Sequence, residues 1–116
     1  LKEIASTIQK TIRHVDIPAR YGGEEFTIIL PETSAFNALI IAERLRQKIS
    51  EIEVKVDDNT VIHPTVSIGV AEYPNAAEGI KELIDWADKA LYESKENGKN
   101  CIHMYFDGQF SRYHAD

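Results

Sequence analysis

The residues best suited to chemistry are a pair of adjacent carboxylates and a few well-separated cations. Glu24 and Glu25 directly follow Gly22-Gly23, between the extended lead-in Ala19-Arg20-Tyr21 and the apolar run Phe26-Thr27-Ile28-Ile29-Leu30. Two residues between two strands favour a type I′ or II′ turn, whose positive φ glycine supplies at little steric cost. The sequence therefore predicts a β-hairpin turning at Gly22-Gly23. A tip without side chains lets a flat or charged ligand approach the backbone closely. Successive strand residues point to opposite faces, so Glu24 and Glu25 cannot play the same part, and one faces a ligand while the other faces away. On residue type alone, both also fit as solvated hairpin glutamates.

Lys95 and Lys99 stand at the end of a helical pattern and just beyond it, where two cations can meet a phosphate lying over the hairpin. Cations there also offset the helix dipole whatever the function, and both readings stay open at this level. Arg13 and Asp16 are spaced to form either an ion pair of little energetic weight or a joint recognition unit. An arginine can bond a planar polar edge bidentately and stack on a flat ring, and an aspartate can accept from neighbouring N–H groups.

Composition narrows the classes. The chain has 116 residues, enough for one core, with 43% hydrophobic and 28% charged residues. The net charge of −6 argues against broad electrostatic binding to nucleic acid, but a nucleotide site needs only a few local cations and a metal ion. No apolar run approaches the roughly 20 residues of a membrane span, and no signal-peptide pattern opens the sequence, so a cytoplasmic location without membrane insertion is expected. Cys101 has no disulfide partner and reads as core packing. His14, His63, His103 and His114 lack metal-ligand spacing. Ser67 falls in a stretch that reads as a buried strand, without a His-Asp pattern, so a hydrolase triad has no support.

The elements that must position these residues follow from periodicity. Leu1, Ile4, Ala5, Ile8 and Ile12 share one helical face. Without a capping residue before Leu1, the sequence reads as starting inside or at the edge of a helix. Thr33 or Ser34 caps a helix running to about Ser50 that buries Phe36, Leu39, Ile40, Leu45 and Ile49. Ile52 to Val56 alternates as a half-buried strand and turns at Asp57-Asp58-Asn59 toward Thr60-Val61-Ile62-His63. Thr65 to Ala71 reads as an interior strand and Pro74 to Glu78 as a loop. A helix from about Gly79 to Asn97 buries Ile80, Leu83, Ile84, Ala87 and Leu91, with Trp86 and Tyr92 as packing residues and Gly98 as its cap. Cys101 to Met104 is a last short strand. Residues 106–116 show no periodicity and read as a tail or linker.

Gly22-Gly23-Glu24-Glu25-Phe26 resembles the signature of the GGDEF family of diguanylate cyclase domains, in the variant with Glu at the third position. Arg13-His14-Val15-Asp16, Thr65 to Ala71 and Ala87 to Asn100 fall in the family's order and spacing. The resemblance runs from about Leu1 to about Met104 and is to an N-terminally truncated domain, here residues 1–105. It implies an α+β, ferredoxin-like palm shared with nucleotide cyclases and polymerases, with helices packed on a mostly antiparallel sheet whose first strand is missing. It also implies a reaction: two GTP condense into cyclic di-GMP and two pyrophosphates in bacterial second-messenger signalling.

By the same resemblance, Glu24 binds the metal, Mg²⁺ or Mn²⁺ in its place. Glu25 supports the site, Gly22 and Gly23 border the substrate, and Lys95 and Lys99 contact phosphates. Arg13, Asp16 and Arg44 form an inhibitory product site. Catalysis in the family needs a homodimer, with an upstream sensor or receiver domain controlling it. The family's further metal ligand and its guanine-reading residues precede Leu1, so the stretch alone is expected to be inactive although its parent protein is a cyclase. The alternatives are a noncatalytic cyclic di-GMP receptor and a dimerisation module.

Overall fold

A computed structural model describes residues 2–20, 25–73 and 79–114. In chain order the elements are α1 Lys2–Thr11, β1 Ile17–Arg20, β2 Phe26–Ile29, α2 Ala35–Ser50, β3 Val54–Asp57, β4 Thr60–Ile62, β5 Ile68–Ala71, α3 Ile80–Glu96, β6 Ile102–Phe106 and β7 Gln109–Arg112. The architecture is α+β, as expected. β1 and β2 form an antiparallel hairpin, β3 and β4 another, and β5-β6-β7 a mixed sheet in which β5 and β6 run parallel.

The core lies between α2 and the mixed sheet. Ala35, Leu39, Ala42, Leu45 and Ile49 recur every three or four residues and form the buried stripe of α2. Ala35, Leu39 and Ala42 meet Val70, Ile102 and Met104 of the sheet. Phe36 and Ile40, expected inside, are 65% and 52% exposed. Each sits one residue after a buried position, about 100° round the helix, so one stripe cannot hold both sets. Ile80, the first residue of α3, is likewise exposed, as are Val56, Val61 and Ile62 of the β3–β4 hairpin, against the expectation of a half-buried strand.

On the sheet's other side α3 packs directly on β5 at Gly69. A Cβ built there would come within 2.2 Å of the Ala87 carbonyl oxygen and 2.3 Å of the Leu91 nitrogen. Ala90, wholly buried, gives helix and strand this close approach. Trp86 does pack, stacking on Tyr105 with centroids 3.9 Å apart and planes 8° off parallel, whereas Tyr92 is 60% exposed.

Three further expectations change. The register Arg20↔Phe26 is offset by one from the Arg20↔Glu25 pairing that an unbroken two-residue turn at Gly22-Gly23 requires. That turn, like Gly22, Gly23, Glu24, Leu1 and the expected loop Pro74 to Glu78, lies outside the described residues. Ser67 is not in a strand, since β5 begins at Ile68. The expected tail from residue 106 carries β7, paired antiparallel with β6 in the register Phe106↔Gln109. Its cause is the two-residue turn Asp107-Gly108, with φ of 52° and 78°, the left-handed pair of a type I′ hairpin.

Candidate functional site

Two groups of the candidate residues are built by different elements. The first is at the junction of α1, β1 and the start of α2. Asp16 follows α1 in a short turn closed by its own N–H donating to the Arg13 carbonyl at 3.0 Å. Its carboxylate is fully buried and takes the Arg13 backbone N–H at 2.8 Å, Nε at 3.1 Å and Nη2 at 2.7 Å. Arg13 Nη2 also donates to Thr33 Oγ1 at 2.7 Å. The Arg13 side chain stays 46% exposed. The hydrogen bond from Arg13 holds the Asp16 carboxyl below its ordinary value, against the opposing effect of burial, and raises the Arg13 guanidinium in turn. One face of a fixed, permanently charged fork is thus offered to solvent, with Asp16 as its buried counter-ion.

Nothing in the sequence placed Thr33 in this group. Thr33 and Ser34 are both suited to capping. Ser34 takes that role, accepting the Asn37 N–H at 3.2 Å, which frees Thr33 for Arg13. Arg44 is exposed on α2 and makes no hydrogen bond to Arg13 or Asp16 among the described residues.

The second group joins β2 to the end of α3. Lys95 Nζ lies 3.9 Å from Glu25 Oε1, both side chains about half exposed. Such a pair is weak in water and leaves both groups available to a ligand. Lys99 lies beyond the helix in a left-handed run, with φ of 103° at Gly98, 60° at Lys99 and 50° at Asn100. The Lys99 N–H donates to the Ser94 carbonyl at 3.0 Å, the six-to-one bond of a Schellman cap, so Gly98 terminates α3 as expected. The Asn100 N–H donates to Ser67 Oγ at 3.2 Å, and Arg46 Nη1 to Asn100 Oδ1 at 3.0 Å. Cys101 is buried, in keeping with a packing role.

A hard divalent cation with bound phosphates needs only one or two protein carboxylates. No group of three or more His, Cys, Asp or Glu able to hold a metal occurs among the described residues. Glu25, accessible and beside a single lysine, has the donor chemistry for such an open site, whereas a closed all-protein cage does not fit here. Glu24, the expected ligand, falls outside the described residues. No helix is long and apolar enough to cross a membrane among those residues.

Comparison with known proteins points to one family. The family model "Diguanylate cyclase, GGDEF domain" matches residues 1–101. Diguanylate cyclase A of Treponema denticola is 46% identical over 102 residues, covering 88% of this chain and 27% of that protein. The chain spans between 13% and 28% of the length of curated relatives it matches. Among solved structures, the diguanylate cyclase SiaD of Pseudomonas aeruginosa, in complex with its activator SiaC, is similar at TM-score 0.81 and 30% identity. That match covers 89% of this chain and 39% of the other. The GGDEF domain of DgcB from Caulobacter crescentus, in complex with c-di-GMP, is similar at TM-score 0.76 and 32% identity, covering 87% and 60%.

Proposed function

The chain belongs to the GGDEF family of diguanylate cyclase domains, and we propose that its parent protein condenses two GTP into cyclic di-GMP and two pyrophosphates in bacterial second-messenger signalling. The observation that carries this reading is the meeting of Glu25, from the signature hairpin, with Lys95, from the end of α3. Two elements distant in sequence bring a carboxylate and a cation to one exposed edge, as a metal-bound triphosphate requires.

In each half-reaction the 3′-hydroxyl of one GTP attacks the α-phosphate of the other and pyrophosphate leaves. Such chemistry rests on positioning and charge neutralisation rather than on a protein nucleophile. Lys95 and Lys99 bind and orient the phosphates. Gly22 and Gly23 border the nucleotide, and Glu25 supports the hairpin end beside Lys95. Glu24 would hold Mg²⁺, or Mn²⁺, which when bound supplies charge neutralisation at the phosphates. Two domains, each carrying one GTP, must face each other, so the active form is a homodimer, and residues 1–116 as a monomer are not expected to catalyse. Arg13, Asp16 and Arg44 form the product-inhibition site. A cytoplasmic domain controlled by an upstream sensor or receiver domain completes the proposal.

The test is to incubate the parent protein and a Glu24→Gln variant with GTP and Mg²⁺ and separate the nucleotides. Cyclic di-GMP formed by the first and not the second is the expected result. The ordered Arg13–Asp16 pair favours one other reading, a noncatalytic receptor, which predicts unchanged GTP alongside tight cyclic di-GMP binding.

A further inference from the structure

We propose that Ser94 is the positioning residue for the cationic edge made by Lys95 and Lys99, an inference that rests on these lysines being the phosphate ligands. Ser94 is a polar residue with no exposed surface, the last buried position of α3. A helical serine ordinarily bonds back to its own preceding turn. Ser94 instead reaches out of the helix: its hydroxyl donates to the Ile68 carbonyl of β5 at 2.9 Å and lies 2.8 Å from His103 Nδ1 of β6. A hydroxyl has one proton and a carbonyl only accepts, so the Ile68 bond consumes that proton. His103 must then carry its own proton on Nδ1 and donate it to Ser94 Oγ. One side chain locks the last turn of α3 to two strands of the sheet.

The carbonyl of Ser94 does the complementary work, accepting the Lys99 N–H at 3.0 Å and the Cys101 S–H at 3.5 Å. It thereby closes the left-handed run Gly98-Lys99-Asn100, two of whose members are not glycine. Such backbone persists only where its surroundings over-determine it. Here those surroundings are Ser94, Ser67 and Arg46, from three separate segments. Lys95 is bonded directly to Ser94 in the chain, and Lys99 is held by its carbonyl. Removing the hydroxyl frees the last helical turn to shift against the sheet and leaves His103 Nδ1 only the more distant Cys101 Sγ, at 4.0 Å, so both lysines lose their fixed origin.

The experiment measures GTP kinetics in the parent protein for Ser94→Ala, Ser94→Thr, Lys95→Ala and Lys99→Ala, together with melting temperatures. Loss of one hydrogen bond's worth of ordering raises KM for GTP about five-fold in Ser94→Ala, with kcat little changed. Ser94→Thr, which keeps the hydroxyl, stays near the parent value. If the lysine variants raise KM but Ser94→Ala only lowers the melting temperature, Ser94 is merely structural and the proposal is overturned. If neither lysine variant alters KM, the phosphate-ligand reading fails first and takes the proposal with it. Should Ser94→Ala not fold, nitrogen spectra of histidine-labelled parent protein decide: His103 protonated at Nδ1 supports the lock, and His103 protonated only at Nε2 overturns it.

Discussion

Arg13 grips Asp16 at both ends, through its backbone N–H at 2.8 Å and its Nη2 at 2.7 Å, so the buried carboxylate fixes the direction of a half-exposed guanidinium. A pre-aimed arginine fork is suited to a planar, anionic, guanine-bearing ligand. Replacing Arg13 by Ala in the parent protein is expected to weaken cyclic di-GMP binding about ten-fold or more, the worth of one bidentate contact. Arg13→Lys is not expected to restore it, since an ammonium cannot reproduce the fork. Calorimetric titration checks both.

The same pair sets a pH dependence. Asp16 titrates below its ordinary value of 3.8 in the folded protein, chiefly because Arg13 hydrogen-bonds its charged form. Its stabilising contribution is therefore fully present above about pH 4 and is lost as pH falls through the lower folded value. Asp16→Asn is expected to cost about 1–2 kcal/mol at pH 7, toward the lower end for a buried hydrogen-bonded charge because Arg13 can rehydrate. The gap between variant and parent should narrow as pH falls below about 4 and close only below the lowered folded value of Asp16. Denaturant unfolding at pH 7 and pH 3 reads the difference.

Gly69 is a packing requirement. An added Cβ would lie within 3 Å of three backbone atoms of α3, none of which can move without shifting the helix. Gly69→Ala is expected to destabilise the domain by about 3 kcal/mol, at the upper end of overpacking, and to lower its melting temperature by at least several degrees. An unchanged melting temperature would mean that α3 and β5 are not in this contact.

Much of this arrangement is legible in the sequence because it is written in local rules. The three-and-four spacing from Ala35 to Ile49 marks α2, Gly98 marks the end of α3, and Arg13-x-x-Asp16 marks its own ion pair. Asp107-Gly108 is equally legible as a type I′ turn, but the exposed, aperiodic residues after it conceal β7. Phe36 and Ile40 mislead because hydrophobicity names candidates for burial, while the face of the helix is chosen by partners on the sheet. Ser94, His103 and Thr33 carry no local signal at all. Their roles arise from contacts with Ile68, with each other and with Arg13 across 26, 9 and 20 residues of chain.

The most direct test of the central claim is to measure pyrophosphate and cyclic di-GMP together as the parent protein consumes GTP. Two pyrophosphates for each cyclic di-GMP, with both products lost in Glu24→Gln, is the expected result. Phosphate release without the cyclic dinucleotide, or consumption of added cyclic di-GMP with none formed from GTP, would contradict it.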